Sequence, residues 1–136
     1  MAGAPLELLR NVPLFSDLDD ADLEKVARLF KKRQFATGET VTKEGSGGAA
    51  FFLIESGTAG ITVRGRQRPP IGPGAHFGEV ALIDGKERSA TITATRDLVC
   101  YGLTYWDFQP LVRENAAIAW GLLQSMTKLL RIEQEN

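Results

Sequence analysis

Glycine sets the rhythm of this chain from residue 34 to residue 103, where short β-like runs are each cut by a turn former before they can lengthen. The runs fall at 34–36, 39–43, 50–55, 59–64, 68–71, 89–95 and 99–103. Between them stand Thr37-Gly38, Glu44-Gly45-Ser46-Gly47-Gly48, Ser56-Gly57, Gly65 and Gly72-Pro73-Gly74, combinations that reverse the backbone at little steric cost. Short strands at near-regular spacing predict a sandwich or a barrel-like roll. Ile61 and Val63 alternate with Thr62 and Arg64, and Ile92 with Thr91 and Thr93, the period of strands buried on one face. Arg64, Arg66 and Arg68 alternate around Gly65, which predicts a hairpin tip whose charges discourage edge-to-edge association.

Helical patterns flank the glycine-rich region. Residues 5–32 read as helix with a break in the middle. Leu6, Leu8 and Leu9 begin it, and Asn11-Val12-Pro13 interrupts it, because the residue before a proline is pushed out of helical geometry. Asp19 is the expected N-cap of the next helix, with Asp20 and Asp22 at its positive end. Leu23, Val26, Ala27 and Phe30 then form one apolar stripe. Arg28, Lys31, Lys32 and Arg33 gather near the C-terminal end of this helix and read as a solvated, dipole-matched terminus.

From 104 to 136 the helical period returns. Thr104-Tyr105-Trp106-Asp107 is a capping-box variant with Asp107 where Glu or Gln is commoner, and Pro110 is expected to end or kink that helix. Beyond Asn115, Ile118, Leu122, Ser125, Leu129 and Ile132 make one stripe, and Ala119, Leu123, Met126 and Leu130 an adjacent one. One stripe suffices to dock on the β layer; the second leaves apolar surface for something else.

Composition narrows the class. At 136 residues the chain is long enough for a single core and is expected to be one domain. Its formal net charge of −1 advertises no nucleic-acid or membrane surface. A lone cysteine, Cys100, makes no internal disulfide and no Cys-rich metal site, which fits a reducing compartment. It reads as a small buried strand residue. No secretory pattern opens the sequence, and no run approaches the ~18 apolar residues of a membrane span, so the expected location is cytoplasmic. His76 is the only histidine and reads as a surface or hydrogen-bonded residue. Without a nucleophile–base pair the chain is not expected to be an enzyme, and neither catalytic nor metal-ligating residues are assigned.

The chemistry is concentrated in residues 77–91. Gly78 opens a short apolar segment that reads as helix, and its freedom lets the backbone approach a ligand. The first N–H groups of such a helix have no internal partner and attract an anion. Arg88 lies ten residues past Gly78, and its planar fork suits a phosphate; Ser89 adds a hydroxyl. Glu79 fits this arrangement only if something donates to it, either a sugar hydroxyl or Arg88 itself. Spacing alone leaves an anion site and a plain Glu79–Arg88 ion pair both open.

Phe77-Gly78-Glu79-Val80-Ala81-Leu82-Ile83, followed by Arg88-Ser89-Ala90-Thr91, resembles the phosphate-binding cassette of cyclic nucleotide-binding domains. These occur in catabolite-activator-type regulators, kinase regulatory subunits and cyclic-nucleotide-gated channels. The resemblance extends over roughly 8–133. Leu9-Arg10-Asn11-Val12-Pro13-Leu14-Phe15 with Leu18 is similar to the family's opening helix and turn. Gly38-Glu39-Thr40-Val41, Lys43-Glu44-Gly45 and Phe52-Leu53-Ile54-Glu55-Ser56-Gly57 are similar to its glycine-punctuated strands.

The resemblance implies an α+β, mainly β fold: an antiparallel, jelly-roll-like β-roll at 33–103 carrying the cassette at 77–90. N-terminal helices at 5–32 and two C-terminal lid helices at 104–136 flank it. It also implies roles. Glu79 accepts from the ribose 2′-hydroxyl, and Arg88 pairs with the exocyclic phosphate oxygens. Backbone N–H groups around Gly78, Val80, Ala81 and Ala90 take the rest of the phosphate, and Ser89 adds its hydroxyl or N–H. Ile61 and Val63 either line the base side or are ordinary core. Leu130, Arg131, Glu133 and Gln134 are candidates for covering the base. The ligand implied is cAMP, with cGMP second, since the family's usual aid to guanine is a threonine where Ser89 stands; no other cofactor is implied. The chain stops where the family's long C-terminal helix stops. The expected roles are therefore a stand-alone sensor, a sensor fragment of a larger transcription regulator or channel, or a roll that binds no nucleotide. A homodimer through the last helix is the expected protein partner, with no nucleic-acid or membrane contact.

Overall fold

The computed structural model describes residues 3–45, 50–86 and 90–135. Helix α1 (Leu6–Arg10) leads into a 3-10 turn at Pro13–Phe15, then helix α2 (Asp20–Ala27). The strands are β1 (Lys31–Phe35), β2 (Thr40–Thr42), β3 (Ala50–Ser56), β4 (Ala59–Val63), β5 (Arg66–Ile71), β6 (His76–Phe77), β7 (Thr91–Ala94) and β8 (Leu98–Thr104). Helix α3 (Glu79–Asp84) sits between β6 and β7, and α4 (Tyr105–Glu114) and α5 (Ala116–Glu135) close the chain. All pairings are antiparallel, in two four-stranded sheets ordered β1-β8-β3-β6 and β2-β7-β4-β5. This is the α+β, mainly β roll expected from the sequence.

The two sheets enclose one core, and the helices cover a second on the far face of the first sheet. Alternation along β3 explains how. Phe52 and Ile54 point into the roll with Phe35, Ile92, Ala94, Leu98 and Cys100. Phe51 and Leu53 point the other way, into a cluster with Leu9, Phe15, Phe30, Leu82, Phe108, Ile118 and Leu122. A strand covered on both faces reads as an unbroken apolar run, and 50–54 is one. Strand β7 has one covered face: Ile92 and Ala94 are buried, while Thr91 and Thr93 are half-buried. Cys100 is fully buried, and burial pushes its thiol up to about 11, with Arg33 opposing.

The caps act as their residue types dictate. Asp19 accepts from the Asp22 N–H at 2.8 Å and Thr104 from the Asp107 N–H at 3.1 Å. The β4–β5 reversal puts Arg64 (φ 52°) and Gly65 (φ 78°) in left-handed conformation, the geometry of a tight two-residue hairpin. Arg64, Arg66 and Arg68 are all exposed around it.

Four expectations are corrected. The second helix stops at Ala27, and Lys31, Lys32 and Arg33 lie on β1, paired with Gly102, Tyr101 and Cys100. These exposed cations border a sheet edge rather than a helix end. Phe30 still reaches the core, from the tight turn after the helix, where the Phe30 N–H donates to the Ala27 carbonyl at 3.2 Å. Helix α4 runs through Pro110 to Glu114, so the proline does not end it. No local pattern announces β6, which is two residues long and held by Phe52↔Phe77 and Leu53↔His76.

The fourth correction concerns α5, which docks on the 3-10 turn and the helical core rather than on the β layer. Ile118, Gly121, Leu122 and Ser125 are its buried positions. The Ser125 hydroxyl donates to Asp17 Oδ2 at 3.1 Å and accepts from the Asp17 N–H at 3.3 Å, and Lys128 Nζ reaches Asp17 Oδ1 at 2.7 Å. Gly121 allows this approach, since a Cβ there would lie 2.7 Å from Leu18 Cδ2. Leu123 and Leu130 of the second stripe are exposed, as is Trp120, but so are Leu129 and Ile132 of the first, while Met126 of the second packs against the helical core.

Candidate functional site

The site is built where β6 hands over to α3. Gly78 caps α3 with φ 97°, and its Cα lies so close to the start of β3 that a Cβ would fall 2.2 Å from the Ala50 carbonyl oxygen. Only glycine fits that crossing. The tight turn seats the first residues of α3 against the roll, and Leu82 anchors the helix by burying into the helical core. The far end closes at Gly85, also left-handed, at φ 70°.

This arrangement leaves a cavity of about 240 Å³. Phe77, Gly78, Glu79, Val80 and Ala81 line one part of it, and Thr42, Ala50, Ile61, Ala90 and Ile92 the rest. Of the predicted site residues, Gly78, Glu79, Val80, Ala81 and Ala90 thus meet at one cavity, and Ile61 joins them. Val63 is half-buried on β4 and does not line it. Arg88 and Ser89 lie outside the described residues. Leu130, Arg131, Glu133 and Gln134 are exposed on α5 and do not line the cavity. Val80 and Ile83 are exposed on α3, Val80 by 74%.

Two residues that the sequence did not assign to the site border it. Thr42 is 6% exposed and donates through its hydroxyl to the Ala90 carbonyl at 3.1 Å, tying β2 to the residue before β7. His76 is the more informative. Its Nδ1 lies 2.8 Å from Glu79 Oε2, and its ring stacks on Phe51 at 5.6 Å between centroids. The approach is short but poorly aligned: among the described residues Nδ1 makes no well-directed hydrogen bond. The signal in the sequence was the i, i+3 spacing of His76 and Glu79 across Gly78, legible only once a left-handed turn was placed between them.

Burial pushes the Glu79 carboxyl up, but His76 and the Glu79 backbone N–H more than offset it, and the group sits below its ordinary value of 4.5. Asp17 is also lowered, chiefly by its hydrogen bond to Lys128. A carboxyl depressed in the folded state contributes stability that is present above its unfolded pKa and lost as pH falls through its folded one. Chemical denaturation is therefore expected to show a weaker fold at pH 3 than at pH 7. Glu79→Gln should reduce that difference; an unchanged difference would mean Glu79 carries none of it.

A profile of the family described as "Cyclic nucleotide-binding domain" matches residues 32–115. The chain is 34% identical over 113 residues to a cyclic nucleotide-gated potassium channel of Mesorhizobium japonicum, across 83% of this chain and 31% of the channel. It is 34% identical to a cAMP-dependent protein kinase regulatory subunit of Debaryomyces hansenii, across 75% of this chain and 23% of that one. The N-terminal domain of a transcriptional regulator from Streptomyces coelicolor A3(2) superposes with a TM-score of 0.83 at 28% identity, covering 94% of this chain and 95% of that one. This chain belongs to the cyclic nucleotide-binding domain family. It spans about a third or less of the two curated relatives. Among the described residues no helix is long and apolar enough to cross a membrane.

Proposed function

We propose that the chain is a sensor that binds a 3′,5′-cyclic nucleotide, cAMP in preference to cGMP, and signals through its C-terminal helix. The observation that carries this reading is the convergence of Gly78, Glu79, Val80, Ala81 and Ala90 on one cavity that Ile61 and Ile92 also line. A nucleotide offers matching halves, an anionic sugar-phosphate and a flat base. A lone phosphate would be repelled by Glu79; a cyclic phosphate leaves the ribose 2′-hydroxyl free to donate to it. Arg88 supplies the guanidinium for the phosphate, Ser89 its hydroxyl or N–H, and the backbone of residues 78–81 and 90 the remaining donors.

Charge-assisted contacts of this kind contribute roughly 1.5–3 kcal/mol each. Two or three of them with base burial fit a micromolar complex, near −8 kcal/mol after the costs of association. Ligand capture pulls α3 inward, and α5 follows to cover the base, to the extent that the nucleotide prefers the closed arrangement. The short span of the chain against its curated relatives supports a second reading: the sensor portion of a larger regulator or channel.

Calorimetric titration with cAMP and cGMP tests the binding. Micromolar cAMP affinity with weaker cGMP affinity is expected, and Arg88→Ala should weaken cAMP by roughly tenfold or more. Binding of neither nucleotide at tens of micromolar would leave a roll that serves another purpose. Undiminished binding by Arg88→Ala would refute the site assignment alone. Sedimentation with and without cAMP tests the dimer; a concentration-independent monomer excludes it.

A further inference from the structure

We infer that His76 is a positioning residue for Glu79, holding its carboxylate where a ribose 2′-hydroxyl can donate to it; this rests on the nucleotide reading above. The β3–β6 register sets His76 opposite Leu53, so its ring lies on the helix-covered face of the sheet, while Phe77 faces the roll with Phe52. There the ring stacks on Phe51, itself fully buried, with 30° between planes. A ring clamped in this way loses its rotational freedom before any ligand arrives.

Its Nδ1 is buried and makes no well-directed hydrogen bond among the described residues, and the nearest carboxylate oxygen, Glu79 Oε2, lies 2.8 Å away. A buried polar nitrogen left unsatisfied is costly, so the protein gains by keeping the carboxylate beside it. Glu79 is the first residue of α3 and lines the cavity. A carboxylate has about four lone-pair sites. Contacts with His76 and with its own backbone N–H therefore leave capacity for a hydroxyl. The carboxylate is pre-organised, and the ligand need not order a free side chain.

The test exploits the single atom at issue. The full chain and two variants are titrated calorimetrically with cAMP and with 2′-deoxy-cAMP, which lacks the hydroxyl that Glu79 would accept. His76→Phe keeps the ring on Phe51 but removes the nitrogen. It should weaken cAMP roughly tenfold while leaving 2′-deoxy-cAMP within about twofold. His76→Asn, whose amide nitrogen takes the place of Nδ1, should restore most of the preference for cAMP. His76→Leu replaces the phenylalanine variant if the latter unfolds. Equal weakening of both nucleotides by His76→Phe would make His76 a structural residue only, and an unchanged cAMP affinity would remove it from the site. If the unaltered chain binds neither nucleotide, the nucleotide reading falls first and the positioning role with it.

Discussion

Gly78→Ala is expected to cost the fold about 2–5 kcal/mol and to abolish cyclic nucleotide binding. Two effects add. Left-handed backbone costs a residue with a Cβ roughly 1–2 kcal/mol, and Gly78 sits at φ 97°. Forcing extra atoms into close-packed structure costs typically ~1–3 kcal/mol more, and the new Cβ would meet the Ala50 carbonyl oxygen at 2.2 Å. Backbone cannot rotate aside as a side chain can, so either β3 or the turn must move, and α3 moves with it. Gly74 is the control. It has φ 86°, but a Cβ there would meet nothing within 4 Å, so Gly74→Ala should lose only the conformational part, about 1–2 kcal/mol. Urea unfolding of both variants measures the difference. Equal losses would show that the crossing at Ala50 relaxes freely, and nucleotide binding by Gly78→Ala at full affinity would show that the turn does not build the site.

How much of this was legible in the sequence depends on whether a feature is local. The hairpin at Arg64-Gly65, the caps at Asp19 and Thr104 and the glycine-bounded strands were readable because each is decided by a few neighbouring residues. That Gly78, Glu79, Val80 and Ala81 share one cavity was readable because they are contiguous. What failed was decided by distant partners. Lys31-Lys32-Arg33 has no apolar alternation, and β8 alone makes it a strand, through pairing with residues about seventy positions away. Strand β6 exists only because Phe77 stacks on Phe52 at 5.2 Å and His76 pairs with Leu53. Only the first half of the α5 stripe, Ile118, Leu122 and Ser125, is buried, and Leu129 and Ile132 are exposed; periodicity names a face and not what it rests on or how far it is covered. The 3-10 turn won that face over the sheet because Phe15, Leu14 and Asp17 meet it there, while α3 packs on β3 and α4 on β8.

Phe15→Ala is expected to be the most damaging single substitution in the helical core, costing about 3–5 kcal/mol. Phe15 is 1% exposed and meets three other rings edge to face: Phe51 at 5.8 Å, Phe108 at 6.2 Å and Phe30 at 6.5 Å. Such pairs are worth roughly 0.5–1.5 kcal/mol beyond the area they bury. The residues that would have to collapse into the void come from different elements: β3, α4 and the turn before β1. A site walled by several elements relaxes poorly, which places the cost toward the upper end. The same ring also joins the two ends of the molecule. Phe51 continues the contact to His76 and so to Glu79, while the turn that carries Phe15 holds α5 through Asp17 and Ser125. Removing Phe15 should therefore loosen the cavity and the docking of α5 together. Urea unfolding reads the first consequence, and amide hydrogen exchange along residues 118–125 and 76–82 reads the second. Loss of protection confined to one of the two segments would show that they are held independently, and a loss below about 1 kcal/mol would show that the ring cluster closes over the gap.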